Sequence, residues 1–395
     1  MAHMRTRIAL VLSLVAGLVL LPTGAQAAAV PEGWATAGST LKAVSQGFGH
    51  GIGMSQWGAQ GRAVAGQSVD QILKFYYPGT TRGTSSGLLR VLITRDIDKN
   101  VIVRPAKGLK VVDLGTGTSY TLPTAGKATA WRLSFVSGRT RLAWRKDGVW
   151  RGYRPGGKLL TGNGEFRSAP RLLNLYYGGA NHPYRGALRL VDGRTINVLS
   201  LENYLKGVVP AEVYTTWDPK ALQAQAIAAR TYAAFERADH LDRIFSVYDS
   251  TRSQAYGGYA VEDPTTNAAI AATVGRVVLY AGQPAFTQFS SSNGGTTANG
   301  GEPYLVGGQD DSLYDTAYRD RELVIGPVTR AKIEKAYPKI GTLQRARVYE
   351  RDTDHRVLWV QLDGTNPGTA DSVMVKGTEL RSLIGLRSTY FSFTS

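Results

Sequence analysis

Residues 201–234 read LENYLKGVVPAEVYTTWDPKALQAQAIAARTYAA, and they carry the strongest secondary-structure signal in the chain. Asp218 and Pro219 predict a helix start, because an aspartate side chain accepts the free N–H groups of a first turn and proline is tolerated at the first helical position. The run 220–234 has high helix propensity, and its many alanines allow a neighbouring element to pack closely. Upstream, Ser200 predicts the cap of a shorter helix.

The sequence on either side of this helical stretch has a different pattern. Residues 88–197 contain short apolar strands separated by Gly-rich turns, which is typical of an all-β unit. After the long helix, residues 265–273 predict an Ala-rich helix, and 277–280 with 285–289 predict a hairpin. The fold class that follows is α+β, with a β-rich domain packed beside a mixed α/β core (198–395) that holds one long Ala-rich helix.

The N-terminus predicts export. Arg5 and Arg7 precede a short apolar run, and the small-residue site Ala25-Gln26-Ala27 follows it. This pattern is typical of a signal peptide over residues 1–27, whereas a membrane-spanning helix needs about 20 apolar residues. We therefore expect a protein secreted to the cell wall or extracellular space, which meets a membrane only transiently during export. Residues 28–45 are expected to form a linker.

Composition and charge restrict the possible functions. The chain has 395 residues, no cysteine, and 46 Lys plus Arg against 30 Asp plus Glu, which gives a formal net charge of +16. Removal of residues 1–27 leaves +14, a charge that favours polyanionic partners. The lack of cysteine excludes disulfides, thiol catalysis and thiolate metal sites, and the five histidines are not at ligand spacing. We expect no metal and no cofactor.

The densest basic stretch, residues 139–154, alternates Arg and Lys with Trp144, Trp150 and Tyr153. Aromatic rings beside basic groups can stack on nucleic-acid bases, but they also stack on sugar rings. The stretch matches none of the common nucleic-acid-binding motifs. Strands with an aromatic inner face and a solvated basic outer face explain the same pattern. For an exported chain we expect no nucleic-acid partner.

Three groups of segments together resemble one protein family. They are 201–232 (LENYLKGVVPAE through ALQAQAIAARTY); 254–258 (QAYGG) with 289–297 (FSSSNGGTT) and 303–305; and 49–59 (GHGIGMSQWGA) with 72–79. They resemble the stage II sporulation protein D family, which includes the amidase enhancers and whose sporulation members are lytic transglycosylases of peptidoglycan. In those members the Gly-His-Gly segment follows the catalytic region, whereas here it precedes that region. The chain therefore resembles a circular permutation in which residues 46–87 complete the catalytic core, and this requires chain ends that lie close together.

The resemblance implies that Glu212 is the catalytic glutamate. A lytic transglycosylase needs only one carboxyl group, because the C6 hydroxyl of the sugar, rather than water, attacks C1. The apolar residues before Glu212 are expected to desolvate it and raise its pKa, as a general acid requires. Arg230 matches the family's functional arginine, so it would bind a substrate oxygen or hold Glu212 through a bidentate pair, unless it is a surface arginine. Glu202 is expected to complement the helix dipole.

The resemblance also implies a sugar-binding cleft. Glycines allow backbone approach to a ligand, and Gln and Tyr side chains offer hydrogen bonds and stacking. His50 either approaches the site or is a buried histidine in a tight turn. Some family members bind zinc through Cys and His near the positions of Ser253 and Asn293, but this chain has no cysteine there. The expected lining residues are Gln254, Tyr256, Ser292, Asn293, Gly294, Gly295, Thr297, His50 and Gln56.

The function implied by the resemblance is a secreted lytic transglycosylase. It would cleave the bond between N-acetylmuramic acid and N-acetylglucosamine in peptidoglycan glycan strands. The alternative is a non-catalytic cell-wall-binding protein that enhances a partner N-acetylmuramoyl-L-alanine amidase. Intact Glu212 and Arg230 favour catalysis, because a protein that only binds the wall has no need of an acid in an apolar setting.

Overall fold

The computed structural model describes residues 31–37, 41–123, 128–366 and 369–395, so the predicted signal peptide lies outside the described residues. Within them the chain combines α-helices, strands and three short 3-10 turns, which confirms the α+β class. The helices are α1 (Gln56–Val64), α2 (Val69–Tyr76), α3 (Leu201–Glu212), α4 (Pro219–Asp239), α5 (Pro264–Ala272), α6 (Pro327–Ala336) and α7 (Gly377–Ile384). No helix in these ranges is long and apolar enough to cross a membrane.

The strands fall into several sheets. In chain order they are β1 (Ala35–Thr36), β2 (Lys42–Gln46), β3 (Met54–Ser55), β4 (Thr81–Thr84), β5 (Leu88–Leu92), β6 (Asn100–Val103), β7 (Lys110–Asp113), β8 (Ser119–Thr121), β9 (Ala130–Val136), β10 (Arg139–Lys146), β11 (Val149–Gly152), β12 (Gly164–Arg167), β13 (Leu172–Tyr177), β14 (Ala180–Arg185), β15 (Ala187–Val191), β16 (Arg194–Ser200), β17 (Val247–Tyr248), β18 (Arg276–Tyr280), β19 (Gln283–Pro284), β20 (Phe289–Ser290), β21 (Arg321–Val324), β22 (Thr342–Arg351), β23 (Val357–Asn366), β24 (Thr369–Lys376) and β25 (Tyr390–Thr394).

The β-rich unit consists of two mainly antiparallel sheets. One has the strand order β17-β5-β16-β15-β12-β7-β8, and the other has the order β11-β10-β9-β6-β13-β14. Their inward-facing side chains, including Leu133, Phe166 and Leu188, share one hydrophobic core. That core continues through Leu205 of α3 and Leu222 of α4. The β-rich unit is therefore packed onto the helical region, as the sequence predicts.

Helix α4 lies at the centre of the mixed unit. Its start is the predicted one: the Asp218 carboxylate accepts a hydrogen bond from the backbone N of Lys220 at 2.8 Å. Small buried residues of α4 such as Ala224 and Ala228 pack with Met54 and Ile72 from the Gly-His-Gly segment. Helices α3 and α5 also pack on α4. The alanine-rich composition thus lets several elements approach one helix closely.

The C-terminal region has a separate hydrophobic core. Strands β22, β23 and β24 form an antiparallel sheet with β1, and β2 lies between β21 and β25. Leu41 and Ala43 pack in this core with Ile325, Leu343 and Phe391. The structure therefore differs from two expectations. Residues 42–46 form a strand rather than a linker, and the region from 321 onward has its own core instead of sharing that of α4.

Strand β20 shows a third difference from the sequence analysis. The predicted hairpin is short, with Leu279 of β18 opposite Pro284 of β19. Phe289 leaves the hairpin and pairs in parallel with Met54 of β3. This pairing fixes the Gly-His-Gly segment beside the loop that follows β20.

Candidate active site

Glu212 is the last residue of α3. Ser200 caps this helix by accepting a hydrogen bond from the backbone N of Asn203, as predicted, but the helix runs further than the expected 201–208. Pro210 lies in the last turn, and Val213 already has an extended backbone, with φ −134° and ψ 161°. The helix therefore ends with the Glu212 side chain at its tip.

The Glu212 carboxyl group is held by a neutral donor. Its Oε1 accepts a hydrogen bond from the backbone N of Ala255 at 2.7 Å. Burial raises the pKa of Glu212, and this effect exceeds the opposing effects of the Ala255 N–H and the Gln56 side chain. Among the described residues, no Lys, Arg or His forms an ion pair with Glu212. A carboxyl with a raised pKa and no adjacent cation is suited to donate a proton.

Gln56 brings the Gly-His-Gly segment to Glu212. It is the first residue of α1, after the cap Ser55, and it is 5% exposed. The Gln56 amide lowers the pKa of Glu212, so it faces that carboxyl group. Within the described part of the chain, the Nε2 atom of Gln56 has no hydrogen-bond partner. A second link comes from Gln60, whose Oε1 accepts a hydrogen bond from the backbone N of Asp218 at 2.9 Å. Residues far apart in the sequence therefore meet at Glu212.

Gln254 and Tyr256 flank the residue that binds Glu212. Both are buried: the Gln254 amide donates to the Ala229 carbonyl at 3.2 Å, and the Tyr256 hydroxyl donates to Asn197 Oδ1 at 2.7 Å. They thus fix the position of Ala255 between them. The sequence analysis missed Ala255, since a backbone N–H carries no signal of its own, although its two neighbours were both singled out.

Arg230 does not pair with Glu212, and it is not a surface residue. Its side chain is 0% exposed and forms a bidentate ion pair with Glu202, with Nε–Oε1 and Nη2–Oε2 distances of 2.9 and 2.8 Å. The remaining guanidinium donors reach the carbonyls of Arg276 at 3.1 Å and Ile270 at 3.3 Å. Glu202 is in the first turn of α3, as expected, but its ion pair was not foreseen. These contacts occupy Arg230 and join α3, α4 and α5.

The loop after β20 is held by two buried aspartates. Ser292 Oγ donates to Asp315 at 2.8 Å, and Asn293 Nδ2 donates to Asp311 Oδ2 at 2.9 Å. Both Ser292 and Asn293 are 0% exposed, so in this conformation their side chains support the loop rather than line an open cleft. Thr297, also 0% exposed, donates its hydroxyl hydrogen bond to the Val306 carbonyl at 2.9 Å.

The two loop glycines are required by close backbone contacts. Gly294 has φ +77°, and a Cβ there would lie 2.8 Å from the Gln46 carbonyl carbon and from the Gly47 nitrogen. Gly295 has φ +99°, and its N–H donates to Asn293 Oδ1 at 2.8 Å. Gly294 therefore allows the loop to pack against the Gly-His-Gly segment, whereas a Cβ at Gly295 would lie 3.3 Å from the Cα of Ser312.

The His50 side chain is exposed to solvent, although protein surrounds it on most sides. Its Nδ1 accepts a hydrogen bond from the backbone N of Ile52 at 3.0 Å. Burial, together with the charges of Arg381 and Arg356, lowers the pKa of His50 to about 4, against the opposing effect of a hydrogen bond to the Phe289 backbone. The imidazole is thus neutral at pH 7. No contact joins His50 to Glu212 within the described residues.

An aromatic cluster lies beside this end of α3. Trp57 follows Gln56, and its ring centroid is 4.9 Å from that of Trp217 and 5.9 Å from that of Tyr214. Tyr318 lies 6.5 Å from Trp57 and 5.3 Å from Phe48. Tyr214 is 59% exposed, so the cluster presents one ring face to solvent two residues after Glu212.

A cleft of about 450 Å³ adjoins the backbone that positions Glu212. Ala211 and Ala255 line one side, and Thr94 and Tyr177 of the β-rich unit line the other. Asp249 also lines the cleft and accepts a hydrogen bond from the Thr94 hydroxyl at 2.6 Å. The β-rich unit therefore forms one wall of the cleft. Within the described ranges, no group of three or more His, Asp or Glu could hold a metal ion.

Comparison with known proteins gives a family profile over the region of α3 and α4 and several related proteins. A family profile described as "Stage II sporulation protein" matches residues 192–280. The amidase enhancer of Bacillus subtilis (strain 168) is 39% identical over 112 residues, which cover 27% of this chain and 15% of the relative. The stage II sporulation protein D of the same organism is 51% identical over 47 residues, or 12% of this chain and 14% of the relative.

An uncharacterized protein of Brachyspira hyodysenteriae is 35% identical over 124 residues, which cover 31% of this chain and 32% of the relative. The chain thus matches less than a third of the length of each of these three relatives. No solved structure matches the chain. The matched profile covers residues 192–280, which include Glu212, and this region of the chain is similar to the stage II sporulation protein D and amidase-enhancer family.

Proposed function

We propose that this protein is an exported lytic transglycosylase that cleaves the bond between N-acetylmuramic acid and N-acetylglucosamine in peptidoglycan glycan strands. The names of the family profile and relatives that it matches support a cell-wall-related role. The observation that carries the finer proposal is the Glu212 carboxyl, which burial desolvates and which accepts a hydrogen bond from the N–H of Ala255, a residue that lines a cleft. The predicted signal peptide supports export, with the membrane met only in transit.

In the proposed reaction Glu212 acts first as an acid and then as a base. The protonated carboxyl donates its proton to the glycosidic oxygen as the bond from that oxygen to C1 breaks, and an oxocarbenium-like state forms. The C6 hydroxyl of the same sugar then attacks C1, and the Glu212 carboxylate accepts its proton, which regenerates the acid. The products are a 1,6-anhydro end and a free hydroxyl on the leaving sugar. No water enters, so a second carboxylate is not needed.

The neighbours of Glu212 support both stages of this cycle. The Ala255 N–H stabilises the carboxylate formed after proton donation, because it donates to Oε1 at 2.7 Å. The Gln56 amide, which lacks another partner among the described residues, can serve the carboxyl or a sugar oxygen. The exposed ring of Tyr214 offers a surface for a sugar to stack on.

A non-catalytic role is the second candidate, favoured by the match to the amidase enhancer. In that role the cleft would bind glycan while a partner N-acetylmuramoyl-L-alanine amidase removes stem peptides. The contacts of Arg230 are compatible with this candidate, because they hold the fold together and require no substrate.

Mass spectrometry of soluble fragments distinguishes these candidates. The protein without residues 1–27 and its Glu212→Gln variant are incubated with peptidoglycan that has or lacks stem peptides. Glu350→Gln is the matched control, since Glu350 lies on β22 in the C-terminal unit. We expect anhydro-muramic ends from the wild type and the control but not from the Glu212 variant.

Other outcomes contradict the proposal in different ways. Reducing ends would mean hydrolysis and would direct attention to a second carboxylate, for which Asp249 is the candidate in this cleft. The protein could also cleave neither substrate but still bind the wall and accelerate a partner amidase. That result would establish the enhancer role instead.

A further inference from the structure

The outer face of the sheet β11-β10-β9-β6-β13-β14 carries a row of arginines. Arg139, Arg141 and Arg145 alternate along β10 with inward-facing residues and are exposed. Arg132 of β9 lies opposite Ala143, in the gap between Arg141 and Arg145. Residues two apart on a strand are about 6.6 Å apart, so these four form a nearly continuous line of positive charge. We call this set the arginine row.

The arginine row has little internal neutralisation. In the part of the chain that the structure describes, none of the four forms an ion pair within 4.0 Å, although other arginines of the β-rich unit, such as Arg185 and Arg189, do. Asp98 is the carboxylate that acts on Arg132. The Nε of Arg132 is buried and has no hydrogen-bond partner among the described residues. Arg145 Nε donates to the Gly148 carbonyl at 3.2 Å, so this group is hydrogen-bonded but has no carboxylate partner among the described residues. Guanidinium groups without a carboxylate partner are suited to bind phosphates, often with two hydrogen bonds each.

The aromatic residues of this region face the other way. Trp131 is 1% exposed, and Trp144 and Tyr153 pack around it inside the core at centroid distances of 6.3 and 5.0 Å. Trp150 lies on the outer side, but the Arg132 guanidinium covers its ring at 4.3 Å. This arrangement is the aromatic inner face and basic outer face that the sequence allowed. Beside the arginine row, the described residues therefore offer no open tryptophan ring on which unpaired bases would stack.

We propose that the arginine row binds a linear anionic polymer of the cell wall that carries phosphodiester groups along its chain. The regular spacing of the guanidinium groups suits repeated charges, and the covered Trp150 ring disfavours single-stranded nucleic acid. The arginine row lies on the outer face of a sheet, whereas Glu212 lies at the end of α3. Polymer binding would therefore hold the enzyme or enhancer at the wall independently of the cleft. This inference does not depend on catalysis.

The test is equilibrium binding of the protein without residues 1–27 to fluorescent poly(glycerol phosphate) at several salt concentrations. If four phosphates are neutralised, log K falls against log salt with a slope of about −2.8, or roughly a 20-fold loss between 0.1 and 0.3 M salt. For the double variant Arg139→Gln/Arg141→Gln we expect a slope of about −1.4 and roughly a 5-fold loss over the same range. Lys332→Gln/Lys335→Gln removes two charges from α6 in the C-terminal unit and should keep the wild-type slope.

Three results would overturn the inference. Absence of binding at low salt would show that the face is only a solvated surface. If the arginine variant keeps its far-UV spectrum and the wild-type slope of log K against log salt, the polymer binds at another surface. Single-stranded DNA of the same phosphate number that binds as tightly, and responds to the same arginine variant, would reassign the row to nucleic acid. Because no glycan is cleaved in this assay, its failure is distinct from failure of the transglycosylase proposal.

Discussion

The ion pair between Arg230 and Glu202 allows a structural role for Arg230 to be separated from a catalytic one. Arg230 is fully buried, whereas the Glu202 side chain keeps 27% of its exposure. Glu202→Gln therefore leaves an uncompensated charge in the interior, and we expect the free energy of unfolding to fall by about 3–5 kcal/mol. Arg230→Met leaves a carboxylate that water can reach, so its loss should be at the lower end of that range, about 3 kcal/mol.

The double variant sharpens this prediction. When both charges are removed, neither remains buried without its partner, so the combined loss should be smaller than the sum of the single losses by about 1–3 kcal/mol. Urea unfolding followed by tryptophan fluorescence measures these energies, and release of glycan fragments is measured on the same samples. An Arg230→Met protein that unfolds like the wild type but has lost cleavage would refute the structural reasoning. Strict additivity of the two losses would refute it as well.

Further predictions concern Glu212, His50 and Gly51. Burial raises the pKa of Glu212, so the folded protein binds more protons than the unfolded chain between the ordinary and the raised pKa, and stability declines as pH rises through that interval. Glu212→Gln should remove this decline in unfolding measured against pH, and wild-type cleavage should fall as pH rises above the raised pKa. The pKa of His50 is lowered to about 4, so an NMR titration should show its midpoint there; stability should be lost as pH falls from 6.5 towards 4, and less so in His50→Gln. Gly51→Ala should destabilise by about 1–3 kcal/mol in urea unfolding, because φ is +75° and the new Cβ would lie within van der Waals overlap of the Arg356 guanidinium. Gly79→Ala, with φ +73° and no atom within 4 Å, isolates the backbone strain and should cost about 1 kcal/mol.

Local signals in the sequence account for much of the helical architecture. Ser200 and Asp218 cap α3 and α4 where the sequence predicts, because a cap depends on a side chain and the two or three residues that follow it. The α+β class and the β-rich unit also follow from local patterns. The sequence predicts a linker over 28–45, although β2 begins at Lys42, because the strands that pair with β2 are distant in the chain and no local pattern indicates them.

The sequence predicts several residues of the candidate site, but it does not predict the contacts that they make. The raised pKa of Glu212 agrees with the apolar residues before it in the sequence. The partner of Arg230 depends on how α3 crosses α4, which single-sequence reasoning does not provide. Ser292 and Asn293 were expected to face substrate because their loop is polar and Gly-rich, yet the polar groups that they meet are the buried Asp315 and Asp311.

The placement of β2 between β21 and β25 has a consequence for the order of assembly. Residues 42–46 are among the first of the described residues to be synthesised, and Tyr390–Thr394 are among the last. The Gly-His-Gly loop that follows β2 also depends on late residues, since the Gly49 N–H donates to the Arg387 carbonyl at 2.9 Å. A nascent chain that already contains Glu212 therefore cannot fasten this loop beside it until Arg387 and β25 have also been made. The fold thus delays completion of the site until the last strand of the described chain has been made.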